Sequence, residues 1–145
     1  MDQDLAPGFA LARGVWRHFE ELDLCAVPEF VPQRGLRVDL IALTKSGEIW
    51  IVECKSCRAD YAADSKWQHY MDWCDRYFWA VDTEFPTEIL PLETGLIIAD
   101  RYDAQIVREA PQHPLPAARR KALTLRLARA AARRLLHATE GVLPQ

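Results

Sequence analysis

Apolar residues recur three or four positions apart at Phe9, Ala12, Val15, Trp16, Phe19 and Leu22, which predicts an amphipathic helix over 9–24 after a loose start closing at Pro7-Gly8. The period then changes. Residues 26–31 read as a short strand closed by Pro32-Gln33-Arg34-Gly35, and 36–43, rich in Val, Ile and Leu, as a second strand. Lys45-Ser46-Gly47 supplies a turn, and a third strand over 48–55 follows at hairpin distance, so the second and third strands should be antiparallel neighbours. Tyr61, Trp67, Tyr70, Trp73 and Tyr77, with charges and no Pro or Gly between them, predict a second long helix over 61–76, followed by a strand over 77–81. Pro86 and Pro91 bracket a loop with a short extended piece at 88–90; 95–99 reads as a buried strand and 104–108 as an edge strand. Pro111, Pro114 and Pro116 precede a final helix over 117–138, ending near Gly141. The expected fold is α/β: one domain over 1–145, with a central mixed sheet flanked by helices and a basic C-terminal helix.

Composition agrees with one globular domain: 145 residues, 50% hydrophobic and 27% charged. No run approaches the ~18 apolar residues of a membrane span, and the start lacks the features of a secretory signal, so a cytoplasmic protein with no membrane partner is expected. Four cysteines are too few for a disulfide scaffold at this length, and reduced thiols are the expectation. The net charge of -3 conceals an asymmetry, because residues 113–145 hold seven Lys/Arg against one Asp/Glu. That basic tail is a candidate contact for a polyanion, although the total charge argues against coating nucleic acid by bulk charge.

The sharpest chemical feature is Asp39 on the second strand with Glu53-Cys54-Lys55 ending the third. Alternate strand residues share a face, so Glu53 and Lys55 continue the face of Ile49 and Ile51, and Asp39 that of Ile41 and Leu43. A hairpin can make these faces coincide, placing two carboxylates and an ammonium at one end of the sheet. Unpaired burial of such charges costs several kcal/mol, so they require partners or a metal. Two carboxylates with a backbone carbonyl such as that of Cys54 suit Mg2+, with Mn2+ as the alternative. Lys55 would help an attacking water and offset charge developing on a phosphoryl group, a layout for phosphodiester hydrolysis. A structural salt bridge between adjacent strands is the plain alternative.

A hairpin bearing Asp and then Glu-x-Lys, set between two helices, resembles the PD-(D/E)XK nuclease superfamily over residues 9–99. The text Arg37-Val-Asp39, Glu53-Cys-Lys-Ser56-Cys-Arg-Ala-Asp60, Asp64-Ser-Lys66-Trp67-Gln-His-Tyr70 and Cys74-Asp75-Arg-Tyr-Phe-Trp-Ala80 resembles the MmcB-like family of bacterial DNA-repair proteins. That likeness continues through Gly95-Leu-Ile-Ile-Ala-Asp100 to Ala118-Arg-Arg-Lys121. The resemblance implies a restriction-endonuclease-like core, metal at Asp39 and Glu53, and Lys55 beside the scissile phosphate. Val38 stands where the superfamily name has proline. Catalysis as a DNA-cleaving repair enzyme is one reading; a non-catalytic DNA-binding module using the same cleft is the other.

Supporting positions follow. Lys66 and Tyr70, four apart on the expected second helix, match the place where related nucleases brace the site or touch DNA; Gln68 is off that face. Glu20 or Glu21 on the first helix would complete the metal site, with Glu29 on the first strand as the rival. Asp60 and Asp64 read as helix-start residues beside Ser56. Cys54-Lys-Ser-Cys57, alone or with Cys74, has a redox or zinc reading, set against plain burial of free cysteines. Trp67, Trp73 and Trp79 suit core packing before base stacking. On the last helix Arg126, Arg129 and Arg133 share one face while Leu125, Ala128, Ala132 and Leu135 line another; with Arg119, Arg120 and Lys121 the arginines form either a solvated face or a DNA-backbone contact. A homodimer cutting both strands is compatible with so small a chain.

Overall fold

The computed structural model describes residues 6–140, which fall into two compact units divided after Pro114. The first is built on a six-stranded sheet in the order β1-β2-β3-β4-β5-β6: β1 (Cys25–Gln33), β2 (Leu36–Leu43), β3 (Ile49–Cys54), β4 (Arg76–Val81), β5 (Gly95–Ala99) and β6 (Ala104–Arg108). The first three strands form an antiparallel meander, β3, β4 and β5 run parallel, and β6 returns antiparallel at the edge. The mixed α/β sheet and the antiparallel β2–β3 pair are those expected from the sequence.

Helix α1 (Pro7–Glu21) starts with proline at its first turn, where the missing N–H costs nothing. It stops three residues before the period suggested, because Asp23 adopts a left-handed conformation (φ 61°). The Asp23 amide then donates to Glu20 O and the Leu24 amide to Phe19 O, a Schellman-type closure. Leu11, Val15 and Phe19 pack on the sheet face formed by Leu40, Ala42, Val52, Phe78, Ala80, Ile97 and Ala99. At roughly 1.5–3 kcal/mol for each large apolar side chain removed from water, this layer is the main stabilising contribution of α1.

The opposite face is aromatic. Trp79 is fully buried, edge-on to Tyr77, Tyr61 and Trp67 with ring centroids 5.2–5.3 Å apart. Core packing therefore accounts for Trp67 and Trp79, while the Trp73 indole donates to Gln33. The expected long second helix is absent. Instead α2 (Arg58–Ala62) and α3 (Trp67–Tyr70) are separated by an irregular stretch, and a 3-10 turn (Met71–Trp73) follows. Asp64 causes the break: its Oδ1 accepts the Lys66 amide at 2.8 Å, a local bond that competes with helix continuation. The piece expected to be extended at 88–90 is a 3-10 turn (Thr87–Ile89), closed by the Ile89 amide on Pro86 O.

The second unit holds helix α4 (Ala117–Thr139), starting after Pro116 as expected; Gly141, the expected terminator, lies outside the described residues. Its buried side chains are Leu123 and Leu127, whereas Leu125 and Leu135, expected on the apolar face, are exposed. Leucines at 123, 125 and 127 offer two faces to a periodicity reading, and only burial selects between them. Among the described residues no helix is long and apolar enough to cross a membrane.

Candidate functional site

Strand register brings the acidic residues together. Leu40 lies opposite Val52, so Asp39 falls level with Glu53 one step further along the hairpin, where the backbone ladder ends. The side chains take over its hydrogen bonds: the Asp39 amide donates to Glu53 Oε1 at 3.0 Å, and the Cys54 amide donates to Asp39 Oδ2 at 2.7 Å. Each carboxylate thus anchors to the other's strand through one oxygen.

Both groups are driven toward the protonated form. Burial raises the Asp39 pKa, opposed by its hydrogen bonds to Cys54 and Glu53 and by the nearby Lys55. Glu53 is pushed well above the usual carboxylate range, by burial first and by the Asp39 charge second. Lys55 follows on the same face. Burial, the largest single influence, works against its charge, but the hydrogen bond to Asp64 and the charges of Asp64, Asp60 and Glu53 together outweigh it, and its pKa is raised. Its Nζ lies 2.9 Å from Asp64 Oδ2, with both side chains about nine-tenths buried.

Asp39, Glu53, Cys54 and Lys55 line one cleft of about 290 Å³ with Glu29, Arg37 and Asp60; Ala6, Gly8, Phe9 and Ala12 of the start of α1 form its other wall. Four acids face two cations there, a charge imbalance that a cation would offset. Glu29, not Glu20, borders this cleft. Pro28 pairs with Leu40 and Phe30 with Val38, which sets Glu29 level with Asp39 across β1 and β2, and Glu29 has a positive φ of 49°. Such backbone strain persists only where the surroundings impose it. Glu20 and Glu21 are exposed further along α1, and Glu20 borders a separate surface depression with Arg13, Trp16 and Arg17. The first-helix glutamate expectation is therefore corrected: the helix presents its N-terminal turns to the cleft, and residues 20 and 21 lie two turns beyond them.

Lys66 and Tyr70 do not stack on one helix, since Lys66 only caps α3. Both nonetheless reach toward β2: Lys66 Nζ lies 3.5 Å from Gly35 O, and the Tyr70 hydroxyl donates to Arg37 O at 3.2 Å. Burial, with Glu53, Asp64 and Asp39 nearby, pushes the Tyr70 pKa to about 12. Asp60 accepts the Ser56 amide at 3.1 Å, a local turn contact, yet also faces the cleft. Asp64, read as a helix-start residue, is the partner of Lys55, and nothing in sequence spacing announces that pairing. Arg37 was accessible to reasoning, because a residue two positions from Asp39 on a strand shares its face. Cys54 is buried among the residues under α1, and burial raises its thiol pKa well above the ordinary value, which makes Cys54 itself a poor source of thiolate. Arg119, Lys121, Arg126, Arg129 and Arg133 are exposed on α4, and Arg120 is half-buried.

Fold and cleft together define an α/β protein whose central hairpin ends in an acidic pair, half-buried Asp39 and buried Glu53, beside a lysine. The chain matches the family described as DNA repair protein MmcB-like over residues 5–141 and belongs to that family. A solved structure, the SPO1766 protein of unknown function from Silicibacter pomeroyi, is similar to it with a TM-score of 0.94 and 57% identity, over 99% of this chain and 98% of that one. No curated protein is detectably similar in sequence.

Proposed function

We propose that this DNA-repair family member is a metal-dependent deoxyribonuclease of PD-(D/E)XK type, acting on DNA in the cytoplasm. The observation that carries the reading is the pair formed by half-buried Asp39 and buried Glu53, side by side at the end of β2 and β3 in an open cleft that also holds Lys55. Two carboxylates pushed toward protonation by burial, Glu53 also by the Asp39 charge, are a costly arrangement, and a divalent cation removes that cost by replacing the proton. Asp39, Glu53 and the Cys54 carbonyl would hold Mg2+, or Mn2+, each carboxylate having spent one oxygen on a backbone amide. When bound, the ion supplies Lewis-acid polarisation of the phosphodiester and favours deprotonation of water.

The remaining roles belong to the chain. Lys55, steered by Asp64, offsets charge on the phosphoryl oxygens; Arg37 on the cleft wall binds a neighbouring phosphate; Glu29 orients water at the open side. Lys66 and Tyr70 brace the β2 backbone beneath the site. The exposed arginines of α4, with Arg119, Arg120 and Lys121, contact the DNA backbone without reading sequence. Two copies acting as a homodimer would cut both strands.

One observation favours a second reading, a non-catalytic DNA-binding module: Lys55 is already neutralised by Asp64. Calorimetric titration of Mg2+ or Mn2+ into the protein and into Glu53→Gln, with and without a short branched DNA, separates the two. The nuclease reading expects binding that is lost in Glu53→Gln and metal-dependent cleavage of the DNA. DNA binding with no metal uptake supports the binding module.

A further inference from the structure

A second group of ligand-type atoms lies at the other end of α1. One ligand atom from each of His18, Glu21 and Asp103 lies within 4.8 Å of the other two. The imidazole nitrogen is 3.8 Å from the Glu21 oxygen and 3.6 Å from the Asp103 oxygen. Both separations exceed a hydrogen bond. His18 Nδ1 is nevertheless buried and has no hydrogen-bond partner among the described residues. An orphaned nitrogen between two carboxylate oxygens that stand off from it is what a shared cation would resolve. With bonds near 2.1 Å, a tetrahedral ion spaces its ligand atoms about 3.4 Å apart, close to the two imidazole–carboxylate gaps.

The backbone holds these atoms in place without help from the cluster. His18 and Glu21 are one turn apart on α1, whose end is locked by the closure at Asp23. Asp103 belongs to the β5–β6 turn, where Asp100 Oδ1 accepts the amides of Tyr102 and Asp103, and Asp103 Oδ1 itself accepts the Ala104 amide at 2.8 Å. Gly14, one turn before His18, lets the helix backbone touch that turn: a Cβ there would stand 1.7 Å from Asp100 O and 2.7 Å from Asp103 O. The close approach at Gly14 sets His18 over Asp103. Glu21 also sits at a helix C-terminus, where a carboxylate is electrostatically disfavoured unless a positive charge is near.

We propose that His18, Glu21 and Asp103 form a binding site for a divalent transition metal, Zn2+ foremost, that clamps the end of α1 to the β5–β6 turn. One imidazole and two carboxylates suit Zn2+ better than Mg2+ or Ca2+, which take oxygen ligands, and the exposed carboxylates leave the fourth position to water. The site is separate from the acidic cleft. Ala12, the last α1 residue lining that cleft, precedes His18 by six residues, roughly 9 Å along the helix axis.

The test uses the full chain carrying Glu53→Gln, so that the cleft pair does not compete, and titrates Zn2+ by calorimetry and by NMR of the imidazole nitrogens. The expected result is one Zn2+ per chain, displacement of the His18 Nδ1 resonance, and a thermal midpoint raised by Zn2+. His18→Gln and, separately, Asp103→Asn should each weaken binding at least tenfold and abolish the thermal shift. Equal affinity in both variants would place the ion elsewhere, on thiolates for instance, and overturn the site. Absence of uptake overturns it too and leaves a plain ion-pair role for His18. Should His18→Gln fail to fold, Asp103→Asn, on an exposed turn, decides alone.

Discussion

The two ends of α1 border acidic groups of opposite character. At its start lie Asp39 and Glu53, carboxylates withdrawn from water on adjacent strands and hydrogen-bonded into the backbone. At its end lie Glu21 and Asp103, whose side chains are 71% and 68% exposed, beside the mostly buried His18. Solvent stabilises the second pair of carboxylates, so their proximity costs the fold little. The first pair, with Glu53 buried and Asp39 half-buried, has much less such support, and the rest of the core must offset its desolvation. Burial is therefore the informative signal at the cleft, whereas at the helix end the signal is the orphaned imidazole nitrogen. One site spends folding stability; the other is held by a glycine contact and a helix cap.

The largest effect should come from the cleft. Asp39→Asn keeps the shape of the pair and lowers metal-dependent DNA cleavage at least about a thousandfold, roughly 4 kcal/mol in the barrier, with no loss of thermal stability. Cleavage at the original rate would end the proposed mechanism. Lys55→Ala also abolishes cleavage, but it strands Asp64 and lowers stability by about 2 kcal/mol, less than for a fully enclosed pair because Lys55 borders an open cleft. Urea titration should show Asp64→Asn restoring most of that loss in the double variant while cleavage stays absent.

Next in size is Gly14→Ala. Its methyl group collides with backbone carbonyls that cannot rotate away, so α1 must lift from the β5–β6 turn, at a cost of roughly 3 kcal/mol. If His18 and Asp103 owe their closeness to this contact, the variant also weakens Zn2+ binding, and unchanged Zn2+ affinity would break the link. The pH dependence of the metal-free protein is smaller. Glu53 holds its proton more tightly folded than unfolded, so its contribution to stability is complete below the ordinary glutamate pKa and is lost as pH rises through the elevated folded value. Glu53→Gln should flatten that decline in denaturant midpoints measured from pH 4 to 8; an equally steep decline would assign it to other groups. Smallest is Tyr77→Phe. The Tyr77 hydroxyl is buried with no hydrogen-bond partner among the described residues, so its removal should be neutral or stabilise by about 1 kcal/mol. A large destabilisation would mean that a water or the Glu53 carboxyl satisfies it.

Strand positions were readable because alternation is local: Val38, Leu40 and Ala42 against Asp39 and Ile41 specify two faces without knowledge of the rest of the chain. The same logic placed Glu53 and Lys55 beside Asp39 once the turn at Lys45-Ser46-Gly47 closed the hairpin. The expected second helix breaks for a physical reason. Its aromatic spacing at Trp67 and Tyr70 is helical, but Asp64 binds the Lys66 amide and the Lys55 ammonium, and those bonds outweigh the propensity of the segment. Glu20 and Glu29 were indistinguishable by composition alone; the choice required knowing which turns of α1 reach the cleft.

The sequence by itself determined the sheet strands, their faces and the acidic end of the hairpin, since each depends on residues within a few positions or one tight turn. Tertiary structure decided what those groups meet: Asp64 with Lys55, Glu29 level with Asp39, and His18 over Asp103 through the gap at Gly14. These contacts join elements far apart in the chain, and their energies depend on burial and approach distance, which local periodicity does not encode.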